Sequence, residues 1–255
     1  TPFMSHISYN PFLAFAIYLL LHEVFFNTSI NSMARFIYSF FAITMSINMF
    51  ITGGRAGQVV FFVMIILLFF QYYQKKLLAL IVSTVVVVGI FFSAYQSSEI
   101  FQQRVDQAIN EASDPNLWKG VNTSIGERFV FAMNSWEIFK ESPLIGIGTG
   151  DFPNEYKKVN ALNTPDSLDT VNPHNMYILV LTQLGVLGLI SLLSIFYFQV
   201  QFAKENKSIF LKNTGIALPI LFLVIMLSDS YLLGHFTTFL FVFFSSFLYK
   251  DFARK

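Results

Sequence analysis

Three side chains in this sequence could do chemistry on a charged substrate: Arg55, Arg128 and His174. Arg55 closes the short polar break Thr52-Gly53-Gly54-Arg55 between two apolar runs, where the glycines let the backbone turn tightly and approach a ligand. A guanidinium there suits a phosphate, because its planar fork grips two oxygens and does not deprotonate. Arg128 follows Ser124-Ile125-Gly126-Glu127, which fits a capping box with Ser124 as N-cap and Glu127 at the third helical position. A cation in that first turn is mildly unfavourable against the helix dipole, which points to a second anion site. His174, in Pro173-His174-Asn175, directly precedes an apolar run and so adjoins a helix N-terminus. The positive end of that dipole favours a neutral imidazole, able to take a proton from a hydroxyl nucleophile. The free N–H groups of the same helix end can hold an anion. Each residue also has a plainer reading. Arg55 can snorkel to lipid headgroups, Arg128 can pair with Glu127 or another loop acid, and His174 can be a polar neighbour of a helix cap.

Other chemical signals are weaker. Gly146, Gly148 and Gly150 are not preceded by a strand, so they read as a turn that redirects the chain rather than a nucleotide loop. Asp166 and Asp169 have no second His or carboxylate at ligand spacing, and no metal site is expected. Glu23 and Asp229 fall near the ends of apolar runs and read as interfacial; His22 and His235 are weaker candidates still. His6 precedes the first apolar run and could line the same outer cavity as Arg55.

The elements that must position these residues follow from composition. The chain is 55% hydrophobic and 12% charged, with 32 Phe, which no ordinary soluble domain matches. Several runs approach the roughly 20 apolar residues needed to cross a bilayer. The expected fold is all-α: a polytopic transmembrane bundle of about seven spans with one large extracytoplasmic loop containing amphipathic helices. The spans read as Pro11–Thr28, Phe36–Ile51 (short), Ala56–Tyr73, Leu77–Tyr95, Met176–Phe202, Phe210–Leu227 and Tyr231–Tyr249. The organisation is thus N-terminal spans over 1–95, a loop over 96–175 and C-terminal spans over 176–255, one integral membrane domain overall.

With alternating spans, Arg35, Lys75, Lys76, Lys204, Lys207, Lys212, Lys250, Arg254 and Lys255 share a side, which the positive-inside rule makes cytoplasmic. The 96–175 loop and the turn at Arg55 then face outward. Because Thr1 also falls outside, the chain reads as the C-terminal part of a longer protein. Within the loop, Glu99–Ala112 carries an apolar stripe, Ile100, Phe101, Val105, Ala108, Ile109 and Ala112. The helix after Ser124 is expected to present Ile125, Phe129, Met133, Trp136 and Phe139 as its apolar face and to stop at Pro143. A polar segment follows to Asp169. The absence of Cys excludes a disulfide framework, and no basic cluster suited to nucleic acid is present.

Three stretches together resemble the O-antigen ligase and polymerase superfamily of bacterial lipid-linked glycan transferases. They are Thr52-Gly53-Gly54-Arg55-Ala56-Gly57; Gly126-Glu127-Arg128-Phe129 running through Trp136 to Gly148; and Pro173-His174-Asn175-Met176-Tyr177 with Leu181 and Leu184–Leu189. The resemblance implies a metal-independent glycosyltransferase without a cofactor. Its donor would be a glycan on undecaprenyl diphosphate, and its acceptor the lipid A core or, in the polymerase variant, another lipid-linked repeat. It also implies diphosphate binding by Arg55 and Arg128, His174 as general base, and loop helices resting on membrane lipids. A transporter is the alternative from another class; it would need ionisable residues at mid-span, and the apolar runs are nearly free of them.

Overall fold

The computed structural model describes residues 4–113 and 123–250, with the His6 side chain outside the described set. Arg254 and Lys255, used above for orientation, also lie outside it. Ten helices are present among the described residues: α1 (His6–Phe26), α2 (Ser32–Thr52), α3 (Arg55–Tyr72), α4 (Lys76–Ser97), α5 (Glu99–Ala112), α6 (Ser124–Glu141), α7 (Phe152–Asn163), α8 (Met176–Glu205), α9 (Ile209–Ile225) and α10 (His235–Leu248). Five helices, α1 to α4 and α8, are long and apolar enough to cross a membrane, and α9 and α10 are shorter apolar helices. The protein is a polytopic helical membrane protein, as its composition requires.

The helices fall into two compact units. The first comprises residues 1–104, 198–225 and 234–255, and the second residues 105–197 and 226–233. In the first unit, α1 packs on α2, α3 and α9. Its buried core is Phe15, Tyr18, Phe61, Met64, Leu68 and Phe222. Within it, Tyr18 donates to Gln71 at 2.8 Å, and Gln71 donates to the Asn213 carbonyl at 3.1 Å.

In the second unit, α6, α7 and the head of α8 enclose Phe131, Ile138, Phe152, Tyr156 and Leu179. Asn134, buried on α6, donates to the Tyr156 hydroxyl, Asn160 Oδ1 and Thr164 Oγ1 at 3.2, 3.3 and 2.7 Å.

Several expectations need correction. The second span is not short: Asn31 caps it by accepting from the Ala34 N–H at 2.8 Å, so it begins four residues earlier and runs 21 residues. The last span starts at His235 rather than Tyr231, because 226–234 is spent on a turn that binds the head of α8. The cap of α6 is Thr123, whose Oγ1 accepts from the Gly126 N–H at 3.0 Å, and Ser124 is the first helical residue. The buried face of α6 is Gly126, Val130, Phe131, Asn134, Ser135 and Ile138, while Phe129, Met133 and Trp136 are exposed. The polar stretch after Asp151 contains α7, which the sequence reading left without structure.

The span at 176–202 is not one continuous helix. Gly185, at φ 65° and ψ −165°, breaks α8, and the glycine-rich strap 143–148 fills the break. The Ile147 and Gly148 N–H groups donate to Thr182 and Gln183 carbonyls at 3.0 Å each. The Val186 and Leu187 N–H groups donate to Pro143 and Leu144 carbonyls at 2.9 and 3.3 Å. A Cβ on Gly146 would sit 2.3 Å from the Gln183 carbonyl carbon, and one on Gly185 would sit 2.3 Å from that of Leu144.

Candidate active site

The head of α8 is built by Asn175. Its Oδ1 accepts from the Tyr177 and Ile178 N–H groups at 3.0 and 3.1 Å, capping the helix as Asn side chains do. Its Nδ2 donates to the Leu227 carbonyl at 3.0 Å, and the Met176 N–H donates to the Met226 carbonyl at 2.9 Å. The turn after α9 is thereby clamped to the start of α8.

His174 stands one residue before this cap, with φ 52°, the single described non-glycine residue with positive φ. That left-handed conformation costs roughly 1–2 kcal/mol for an L residue and persists only where neighbours enforce it. Asn172 does so: its Oδ1 accepts from the His174 N–H at 3.0 Å and from Ser230 Oγ at 2.7 Å. The ring is thereby turned towards Asp229, with Nδ1 3.2 Å from Oδ1, while 40% of the side chain stays exposed.

Asp229 Oδ1 also accepts from the Ser230 N–H at 2.7 Å and from Asn172 Nδ2 at 3.2 Å. Burial alone would raise its pKa, but the bonds from His174, Ser230 and Asn172 outweigh burial and hold the carboxyl below its usual range. An ionised carboxylate only accepts, so the contact requires a proton on Nδ1.

Phe131 of α6 packs on the His174 ring, centroids 6.0 Å apart. One turn earlier on α6 is Arg128, exposed, with Nη1 donating to Ser124 Oγ at 3.2 Å. It forms no ion pair with Glu127. Its field reaches the 228–231 turn: burial pushes Tyr231 up to about 12, and Arg128 pulls it the other way. The second unit therefore brings Arg128, His174 and Asp229 to one neighbourhood.

Arg55 belongs to the first unit. It opens α3, after Gly53 (φ 66°) and Gly54 (φ 129°), and is half-buried. Asn10 of α1, fully buried, fixes that turn. Its Nδ2 donates to the Gly53 carbonyl at 3.0 Å, and its Oδ1 accepts from Thr52 Oγ1 at 3.3 Å. A Cβ on Gly57 would fall 2.1 Å from Asn10 Cβ, so the close approach of α1 requires that glycine.

The sequence reading set Asp229 aside as interfacial and did not single out Asn172 or Ser230. Asp229 had a signal: Ser228-Asp229-Ser230 interrupts two apolar runs on the side that span alternation assigns to His174. No group of three or more His, Cys, Asp or Glu able to hold a metal occurs among the described residues.

The protein is thus a polytopic helical membrane protein with a His–carboxylate pair at a helix head and an arginine whose field reaches the same turn. Residues 40–193, more than half the chain, match the family model described as O-antigen ligase, and the protein belongs to that family. The matched range holds Arg55, Arg128 and His174 and ends before Asp229. Membership makes it a membrane glycosyltransferase of the O-antigen ligase or polymerase type, with lipid-linked glycan substrates. No curated protein matches the chain.

Proposed function

We propose that the protein moves a glycan from undecaprenyl diphosphate to an acceptor hydroxyl at the periplasmic face of the inner membrane, most simply as the ligase that joins O-antigen to the lipid A core. The observation that carries this reading is the His174–Asp229 pair, 3.2 Å apart, with Arg128 beside it. In the reaction, the acceptor hydroxyl gives its proton to His174 Nε2 as its oxygen bonds to the anomeric carbon. The bond from that carbon to the diphosphate breaks, and the electron pair leaves with undecaprenyl diphosphate. Asp229 holds the imidazolium that results. Arg128 and Arg55 bind the diphosphate and meet the charge that grows on it, with no metal needed for that role.

The polymerase variant shares every one of these steps and differs only in its acceptor, a second lipid-linked repeat. The test is genetic and chemical together. In the full-length protein, His174→Ala should abolish mature surface glycan while the protein still inserts in the membrane. Accumulation of long glycan on the lipid carrier identifies the ligase, whereas single repeats on the lipid A core identify the polymerase. Unchanged surface glycan would show that His174 is not the base.

A further inference from the structure

The turn that carries Arg55 has little of its own to fix its direction. Gly53 sits at φ 66° and ψ 158°, a backbone region essentially reserved for glycine. Gly54 follows at φ 129° and ψ 80°, and no side chain caps α3 among the described residues. Two such glycines in a row give the chain many ways to enter α3. The way it takes is imposed from outside the turn.

Two neighbours in the first unit press on it. Ile100, at the start of α5, makes an ordinary apolar contact, since a Cβ on Gly53 would lie 3.4 Å from its Cγ2. Such a contact fills space but has no direction of its own. Asn10 of α1 supplies one. Its Nδ2 donates to the Gly53 carbonyl at 3.0 Å, in the middle of the range for such bonds. The contact of Asn10 with Thr52 Oγ1, at 3.3 Å, is the weaker of the two. That hydroxyl has a single proton, and the Asn48 carbonyl is nearer to it, at 2.9 Å.

Asn10 also meets the chain beyond Arg55. A Cβ on Gly57 would fall 2.1 Å from Asn10 Cβ and 3.1 Å from its Cα, so α1 and α3 approach there at backbone distance. One residue thus holds the chain two positions before Arg55 and lies against it two positions after. Asn10 is fully buried, and the buried positions that follow it on α1, Leu13, Ala14 and Ile17, are all apolar. Packing alone would be served by an apolar side chain at position 10, because burying an amide is costly unless it is bonded.

We infer that Asn10 is a positioning residue for substrate binding, setting the direction in which α3 presents the Arg55 guanidinium, an inference that rests on the reading of Arg55 as a ligand of the donor's diphosphate. A guanidinium grips two oxygens only when its plane is correctly turned. A helix start free to reorient loses part of its binding free energy to being ordered when the anion arrives. Asn10 removes that loss by ordering the turn beforehand.

Equilibrium binding of undecaprenyl diphosphate to full-length protein in detergent tests this as a double-mutant cycle. Asn10→Ala should weaken binding about threefold to tenfold, the worth of one hydrogen bond. Asn10→Leu keeps the volume and removes the same bond, so it should weaken binding equally in a better packed helix. In Arg55→Ala protein, itself a weaker binder, Asn10→Ala should change nothing further, because no guanidinium remains to be aimed. Tyr18→Phe removes another buried bond of α1, the one to Gln71. It should lower the thermal unfolding midpoint without moving the affinity. Equal losses from Asn10→Ala with and without Arg55 overturn the inference and leave Asn10 a plain tie between helices. Unchanged binding in Asn10→Ala and Asn10→Leu overturns it too. Unchanged binding in Arg55→Ala overturns it in a separate way, because Arg55 is then no ligand of the diphosphate in the reaction proposed above.

Discussion

His174 and Asp229 are 55 residues apart in the chain, yet His174 Nδ1 lies 3.2 Å from Asp229 Oδ1. The pair exists because two breaks in helical structure meet: the turn after α9 and the residue before the cap of α8. Asp229→Asn keeps the shape but supplies an amide that can present N–H to Nδ1 and so select the wrong tautomer. General-base catalysis is worth about 10²–10⁴-fold. Asp229→Asn should forfeit a large part of that in kcat, with KM for the donor little changed, in full-length protein reconstituted with lipid-linked glycan.

Acid should undo the same pair locally. The folded pKa of Asp229 is depressed, so its contribution is fully present above the ordinary carboxylate value, about 4. It is lost as pH falls through the depressed value. Limited proteolysis across 170–175 and 226–231 should therefore be flat from neutral pH down to that range and rise below it. In Asp229→Asn the rise should vanish.

Arg128 offers a charged fork that donates only to Ser124 Oγ among the described residues. A hydrogen bond to a charged group is worth about 1.5–3 kcal/mol. Arg128→Ala should therefore raise KM for the diphosphate donor about tenfold to a hundredfold. Arg128→Lys should recover only part of it, since an ammonium cannot grip two oxygens in the same plane. Initial-rate kinetics against donor concentration separates these outcomes from a loss of protein.

Gly146 and Gly185 tolerate no side chain. A methyl on either meets backbone at 2.3 Å, an overpacking that costs about 1–3 kcal/mol. Each Ala variant should lower the thermal unfolding midpoint in detergent. Gly89→Ala, with nothing within 4 Å of the added Cβ, should leave it unchanged or raise it slightly.

Much of this protein could be read from residue order, for physical reasons. Long apolar runs have one solution in a bilayer, so all seven apolar helices were expected in the right order, with the second and the last misplaced at their starts by four residues. Glu99–Ala112 was found to the residue because its apolar stripe and polar flanks agree. The stripe on α6 was read as apolar without a side, since periodicity finds a face without saying what covers it, and Phe129, Met133 and Trp136 are exposed. The core-facing side holds Asn134, which looks like a surface residue until its partners Tyr156 and Asn160 on α7 are known, and Ser135, whose hydroxyl donates to the Phe131 carbonyl within α6. The break in α8 was hidden because Leu184-Gly185-Val186 differs from an ordinary membrane helix only by a glycine, and its partner lies some 40 residues upstream at Gly146. His174 was legible from Pro173-His174-Asn175, whereas Asp229 was not, because the pair is made by tertiary structure alone.

The interruption at Gly185 has a mechanical consequence. A membrane helix tilts to match the thickness of its bilayer, and in an unbroken α8 that tilt would swing His174 at its tip. Here the piece from Met176 to Leu184 is tied to the Met226 and Leu227 carbonyls at one end and to the strap at the other. The strap also holds Val186 and Leu187 below the break, so Gly185 is braced from both sides and is not a loose hinge. A tilt of the span is thereby shared with the strap and with the turn after α9, which together splint the end of the helix that carries the histidine.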